Sequence, residues 1–266
     1  MDIKAHVGIG DLLCMKAMLD PVQDKIRICA DKGIIRDFRN DSPEFKVFLS
    51  KFMKMLFTEP HYEIVDDNSA PSISHIELDA VHHLPIRKPD FGHLLPAGKD
   101  LDIGPYIAVT TKIRHVPRCE YDTFKLRFVK SLNHLSKKYK IVIMGEKAIS
   151  NNAENAYYGP NEIYSIYEDI KSIRNSIDLS VSQSTDFSFE SLIQDCHIMR
   201  KSLRTITIGE GGNLSLAMAF SFILGYRKKN ALGHTFLERM FPKAEAYQNA
   251  YVTTNLDHFF VYLNNL

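Results

Sequence analysis

The residues of this chain best placed to do chemistry sit in turns of glycine between a β-branched run and an apolar run. One such stretch is residues 204–224, RTITIGEGGNLSLAMAFSFIL. Thr205, Ile206, Thr207 and Ile208 are β-branched throughout and stop at Gly209, which predicts a short strand. Gly209, Glu210, Gly211, Gly212 and Asn213 predict a tight turn, and residues 214–224, apolar on nearly every side, predict a buried helix. A strand–turn–helix unit of this kind aims backbone N–H groups and the positive end of a helix at an anion. Phosphate or pyrophosphate is the natural guest. The plainer alternative is an ordinary strand–helix connection in which the glycines only allow the turn. A second unit of the same build opens the chain. Residues 3–7 predict a strand, Gly8, Ile9, Gly10 and Asp11 a turn, and residues 12–19 a helix that stops before Pro21. Between the two units, the strand-like YIAVTT at residues 106–111 runs into the basic stretch KIRHVPR, expected to be a loop.

The elements that position these turns alternate. Residues 25–30 predict a strand, so the opening is β-α-β, which favours a parallel sheet. Residues 43–57 carry Phe45, Phe48, Leu49, Phe52, Met53 and Leu56 at helical spacing, and residues 62–65 predict a strand. Residues 69–105 hold five prolines among short apolar pieces, and the boundary between two domains is placed near their end, giving 1–103 and 104–266. In the second half residues 121–139, 163–173, 188–202 and 255–266 predict helices, and residues 140–144 predict a strand followed by Gly145 and Glu146. The class is therefore α/β, with two β-α halves and a short first one.

Composition limits the function. The 266 residues are 45% hydrophobic and 24% charged, the mix of a water-soluble globular chain. Lys plus Arg number 33 against 32 Asp plus Glu, so bulk attraction to nucleic acid is not expected. Cys14, Cys29, Cys119 and Cys196 form no C-x-x-C pair and read as reduced thiols. The opening MDIKAHVGIGD has no signal-peptide core, and no apolar run approaches a membrane span, so a cytoplasmic location is expected, with peripheral membrane contact left open. His82, His83, His115 and His197 lack ligand partners at helical or hairpin spacing, so no metal site is expected. Asp66 with Asp67, and Asp100 with Asp102, are the carboxylate pairs that keep a metal-dependent alternative open.

Four pieces together resemble the bacterial lipopolysaccharide heptosyltransferases, inverting glycosyltransferases of the GT-B fold. They are GIGDLL at residues 8–13, AVTTKIRHVP at 108–117, IVIMGEK at 141–147, and SFESLIQDC followed by TITIGEGGNLSLAMA up to residue 219. Order and rough spacing agree over about residues 1–225. The chain departs from the family in its last turn, where Glu210 stands in place of Asp and Ser215 in place of His. Lys112 and Arg114 also follow the paired threonines more closely than the family's basic residue does.

The resemblance implies two Rossmann-like domains facing across a cleft, with a nucleotide-diphosphate sugar bound as substrate and no cofactor. It implies an acceptor hydroxyl on a glycan, lipid-linked or protein-linked molecule, activated by a carboxylate. Asp11 is the candidate base, with Gly8 and Gly10 shaping the acceptor-side loop. The plainer reading of Asp11 is a helix N-cap. On the donor side Thr110 and Thr111 would offer hydroxyls and Lys112 and Arg114 positive charge to the leaving phosphates. Glu146 and Glu210 would hold ribose or base hydroxyls, and Gly211, Gly212 and Asn213 would give backbone N–H groups to the diphosphate. The expected activity is metal-independent inverting glycosyl transfer. A sugar-nucleotide epimerase, a non-catalytic nucleotide- or sugar-binding protein of the same fold, and a metal-dependent GT-A enzyme remain as alternatives.

Overall fold

The computed structural model describes residues 2–5, 9–20, 22–30, 43–65, 90–114, 116, 118–148, 163–182, 188–209, 212–226 and 250–266. Gly8, Glu210 and Gly211, the Asp66–Asp67 pair, His82, His83 and His115 lie outside the described residues.

Two parallel sheets organise these residues. The smaller joins β1 (Asp2–Ala5), β2 (Ile26–Ala30) and β3 (Tyr62–Val65) in that order, all parallel. Helix α1 (Ile9–Leu19) links its first two strands, and α2 (Pro43–Leu56) lies between β2 and β3 in the chain. The larger sheet holds β4 (Tyr106–Arg114), β5 (Lys140–Met144), β6 (Ile163–Ser165), β7 (Ser176–Asp178), β8 (Arg204–Ile208), β9 (Ile223–Tyr226) and β10 (Ala250–Thr253). From one edge it runs β7-β5-β4-β8-β9-β10, each neighbouring pair parallel, while β6 pairs antiparallel with the tail of β4. With β6 set aside, that is the 3-2-1-4-5-6 order of a dinucleotide-binding sheet.

Alternate strand residues face opposite ways, as the pleat requires. Ile107, Val109, Ile141, Ile143, Ile206 and Ile208 pack against α3 (Arg118–Leu135), the short α4 (Tyr167–Ile170) and α7 (Leu256–Asn264). Ala108, Val142 and Met144 face the other way, against α5 (Phe189–Lys201) and α6 (Gly212–Phe220). This second layer continues without a break through α1 and α2 to Ile3, Ile26 and Ile28 of the small sheet. Helix α1 packs along α6.

Residues 90–105 strap the first half onto α5. Gln194 pairs in both directions with the backbone of Lys99, at 3.2 and 2.8 Å. His197 Nε2 donates to the Pro96 carbonyl at 2.7 Å, and Lys201 meets Asp100 at 3.0 Å. These three side chains recur at i, i+3 and i+7, one face of a helix. The strap thus gives His197 and Asp100 partners from across the chain.

Several sequence expectations shift. The apolar run expected as one helix over 214–224 divides: α6 ends at Phe220, and Ile223–Tyr226 is β9. A run that is apolar all round carries no period to separate helix from strand. Residues 163–173, expected helical, hold β6 and then α4. The basic stretch after Thr111 is a strand as far as Arg114, because Ile113 buries fully and β6 supplies a partner for the backbone. Helix α5 starts as its sequence implies, with Ser188 and Ser191 exchanging side-chain and backbone hydrogen bonds in a capping box.

Candidate functional site

Strand order locates the crevice. In an open parallel sheet ligands bind beyond the carboxyl ends of the strands where the order reverses, here between β4 and β8. Three predicted pieces meet at that edge: the tail of β4 with Thr110, Thr111 and Lys112, the end of β5 with Glu146, and the end of β8 leading into α6 with Gly212 and Asn213. Gly209 closes β8 at φ +87°, a conformation that favours glycine. Gly212 begins α6. Asn213 is half-buried in the first turn of α6.

The tail of β4 is irregular at the crevice. Val109 pairs with Ile206 and Ile113 with Ile208, so Thr110, Thr111 and Lys112 stand against Thr207 alone. A bulge of this kind bends the strand and re-aims its side chains. Lys112 and Arg114 then pair through their backbones with Ser165 and Ile163 of β6. Lys112 is half-buried on this extension rather than on a free loop.

The two threonines do something other than expected. Thr110 Oγ1 donates to the Ile206 carbonyl at 3.4 Å, and Thr111 Oγ1 donates to the Glu146 carbonyl at 2.7 Å. Both residues are buried. Each hydroxyl proton therefore holds one strand end to another and does not point at a ligand. Ser165 Oγ donates to the same Glu146 carbonyl at 3.2 Å. Gly145, at φ +94°, passes so close that a Cβ there would meet Thr111 Oγ1 at 2.9 Å. The loop carrying Glu146 is thus held by Thr111 and Ser165.

Sequence reasoning missed the neighbours of that loop. Lys147 Nζ lies 3.1 Å from Asp178 Oδ2 and 5.1 Å over the Tyr167 ring. Tyr167 donates its hydroxyl to Asp178 Oδ2 at 2.7 Å, and Ser180 donates its backbone N–H to Oδ1 at 2.9 Å and its hydroxyl to the same oxygen. Partial burial pushes the Asp178 carboxyl up, but the bonds from Ser180, Tyr167 and Lys147 outweigh it and bring it down to about 2. The only sequence signal was Asp178 at the end of a short run, SID, too brief to stand out as a strand.

On the acceptor side, Asp11 and Gly10 fall within the first turn of α1, which begins at Ile9. Asp11 is therefore inside the helix and not the residue ahead of it, contrary to the cap reading. Helix α1 is anchored by Lys16, fully buried, whose ammonium bridges Glu59 at 2.5 Å and Asp20 at 3.2 Å and lies 4.8 Å over the Tyr62 ring. Burial pushes the Glu59 carboxyl up, and its bonds to Lys16 bring it below the usual range. Asp195 of α5 differs: burial, with no opposite charge among the described residues to offset it, pushes its carboxyl up to about 7. Among the described residues no group of three or more His, Cys, Asp or Glu side chains is placed to hold a metal ion, and no helix is long and apolar enough to cross a membrane.

No protein-family model matches the sequence, and no curated protein matches it. Among solved structures the chain is similar to the dodecameric iron-containing heptosyltransferase TibC in complex with ADP-D-β-D-heptose, at TM-score 0.47 and 11% identity over 85% of this chain and 58% of that one. It is similar to a second structure of TibC, from enterotoxigenic E. coli H10407, at TM-score 0.48 and 12% identity over 85% and 57%. It is also similar to the E. coli ADP-heptose lipopolysaccharide heptosyltransferase II, at TM-score 0.39 and 12% identity over 95% and 89%. The chain spans less than two thirds of the length of the TibC chains.

Proposed function

We propose that this chain is a glycosyltransferase that moves a sugar from a nucleotide-diphosphate sugar to an acceptor hydroxyl, by inversion and without a metal. The observation that carries the reading is the crevice between β4 and β8, where the glycine turn, the bulged tail of β4 and the fixed Glu146 loop converge. In this reading residues 104–266 hold the donor and residues 1–103 form the acceptor side of a GT-B arrangement. The diphosphate lies at the start of α6, against its backbone N–H groups, with Lys112 and Arg114 opposite the charge that grows as it leaves. Glu146 lies beside the nucleoside. Asp11 takes the proton of the acceptor hydroxyl as its oxygen attacks the anomeric carbon, and the nucleoside diphosphate departs with the bonding pair.

The test is release of free nucleoside diphosphate over a panel of ADP-, GDP- and UDP-sugars with and without EDTA. The reading expects release from one donor class, undiminished by chelator. Binding without release on any acceptor means a nucleotide-binding protein. Loss of activity in EDTA with recovery on Mn²⁺ or Mg²⁺ means metal-dependent transfer, and epimerised donor with no release means an epimerase.

A further inference from the structure

We infer that Lys147, Tyr167 and Ser180, held by Asp178 beyond the carboxyl ends of β5 and β7, form the subsite for the ribose diol of the nucleotide; this rests on the donor reading above. Position is the first support. The tails of the two strands run on side by side past the sheet: Leu179 N–H donates to the Ile143 carbonyl at 2.9 Å, Val181 N–H to Gly145 at 2.8 Å, and Lys147 N–H to Val181 at 2.8 Å. With strands about 4.8 Å apart, the end of β7 stands roughly 10 Å from β4. It lies on the side of the switch point away from β8. In this strand order the ribose is met at the end of the second strand, here β5.

Hydrogen-bond accounting is the second support. Asp178 accepts from Ser180 twice, from Tyr167 and from Lys147, which fills its lone pairs. It is an anchor and has no capacity left for a ligand. The groups around it do have capacity. Lys147 keeps ammonium protons, and its side chain is 35% exposed. The oxygens of Ser180 and Tyr167 donate to Asp178; that of Tyr167 also accepts from Lys147, and that of Ser180 keeps its lone pairs. The site therefore offers donors and acceptors side by side. Its charge is balanced, since the carboxylate offsets the ammonium. Such a surface suits a neutral hydroxyl pair rather than a phosphate: one hydroxyl can accept from Lys147 while donating to Ser180. The backbone beneath is fixed by Thr111, Ser165 and the positive φ of Gly145, so little ordering accompanies binding.

The experiment is calorimetry with ADP, GDP and UDP on the full chain, followed by the tightest of them against its 2′-deoxy form. Wild type is expected to prefer the ribo form by roughly tenfold, the scale of one hydrogen bond to a charged group. Lys147→Gln and Ser180→Ala should each remove most of that preference, weakening the ribo form more than the 2′-deoxy form, which keeps its 3′-hydroxyl, and should melt close to wild type. Two variants are used so that a folding defect in one leaves the other to decide. Equal weakening of ribo and deoxy ligands would show the cluster to be a structural clamp and overturn the inference. So would a preference that survives both variants, or one that vanishes only in Glu146→Gln. A loss seen with the sugar-bearing donor but not with the free diphosphate would assign the diol to the sugar and also overturn it. Wild type that binds no nucleoside diphosphate at all is the separate outcome in which the donor reading itself fails, and the subsite with it.

Discussion

The strand–glycine–helix unit at the start of the chain and the one ending in α6 lead into helices that pack on each other, yet they stand in sheets of unequal support. The large sheet has both faces covered by its own helices, α3, α4 and α7 on one side and α5 and α6 on the other. The small sheet has three strands, and the apolar residues of α1 and α2 belong to the same core as α5 and α6. One unit sits on a self-sufficient scaffold; the other is completed by its neighbour. A binding site that needs fixed geometry suits the first, and a group that must meet a second substrate suits the second. The largest expected effect follows directly. Residues 1–103 expressed alone should not fold, because the apolar faces of α1 and α2 lose α5 and α6, the rest of their shared core. Circular dichroism with thermal melting checks this, and a cooperative transition in the fragment would break the comparison.

The next effect separates the two units by function. Asp11→Asn should lower turnover by roughly 10²–10⁴-fold, the usual worth of a positioned general base, while binding of nucleoside diphosphate stays at the wild-type level. Steady-state kinetics beside calorimetry reads both. Unchanged turnover would take Asp11 out of the mechanism and leave the first unit a structural one.

Much of this division was legible in residue types. β-branched runs ending in glycine marked β5 and β8 to within a residue, period-3.6 apolar patterns marked α2 and α3, and α5 falls within the helix expected over 188–202. Nothing local marked the tail of β4, since the partner that makes Lys112–Arg114 a strand is β6, some fifty residues on. The fate of the threonine hydroxyls was equally hidden. Whether Thr111 donates to a ligand or to the Glu146 carbonyl depends on where β5 ends in space, and spacing along the chain does not carry that. The Lys147–Asp178 pair joins two strand ends thirty-one residues apart, each with an ordinary charged residue. What stayed illegible was long-range pairing, and the site is made of it.

The layer shared by the two halves gives a pH test. Asp195 on α5 titrates near 7 in the fold, against an ordinary value of 3.8. Between those values the folded chain holds a proton that the unfolded chain has lost, so its stability falls as pH rises through that window. Asp195→Asn removes this dependence. The variant should match wild type near pH 4 and exceed it near pH 8, by on the order of a few kcal/mol in urea unfolding. An offset of the same size at both pH values would mean the carboxyl is not raised by burial. Smaller again is Lys112→Ala, expected to weaken nucleoside diphosphate binding by roughly 1.5–3 kcal/mol and the bare nucleoside much less. Equal losses for both ligands would move the phosphates away from β4.

The smallest expected effect, a coupling energy, tests how firmly the large half holds its site. Gly145 has φ +94°, and a Cβ there would stand 2.9 Å from Thr111 Oγ1. Gly145→Ala therefore meets two separate costs. The left-handed backbone disfavours any side chain by about 1–2 kcal/mol. The methyl also presses on the Thr111 hydroxyl, whose 2.7 Å bond fixes the Glu146 carbonyl. Loss of that bond adds roughly 0.5–1.5 kcal/mol. The second cost should vanish when the hydroxyl is already gone. In a double-mutant cycle Gly145→Ala is then cheaper in a Thr111→Val background than in wild type, with the backbone cost alone remaining. Urea unfolding of the four proteins measures the coupling. Strict additivity would mean that the loop relaxes around the new methyl group, and that the geometry at the end of β5 is softer than its hydrogen bonds suggest.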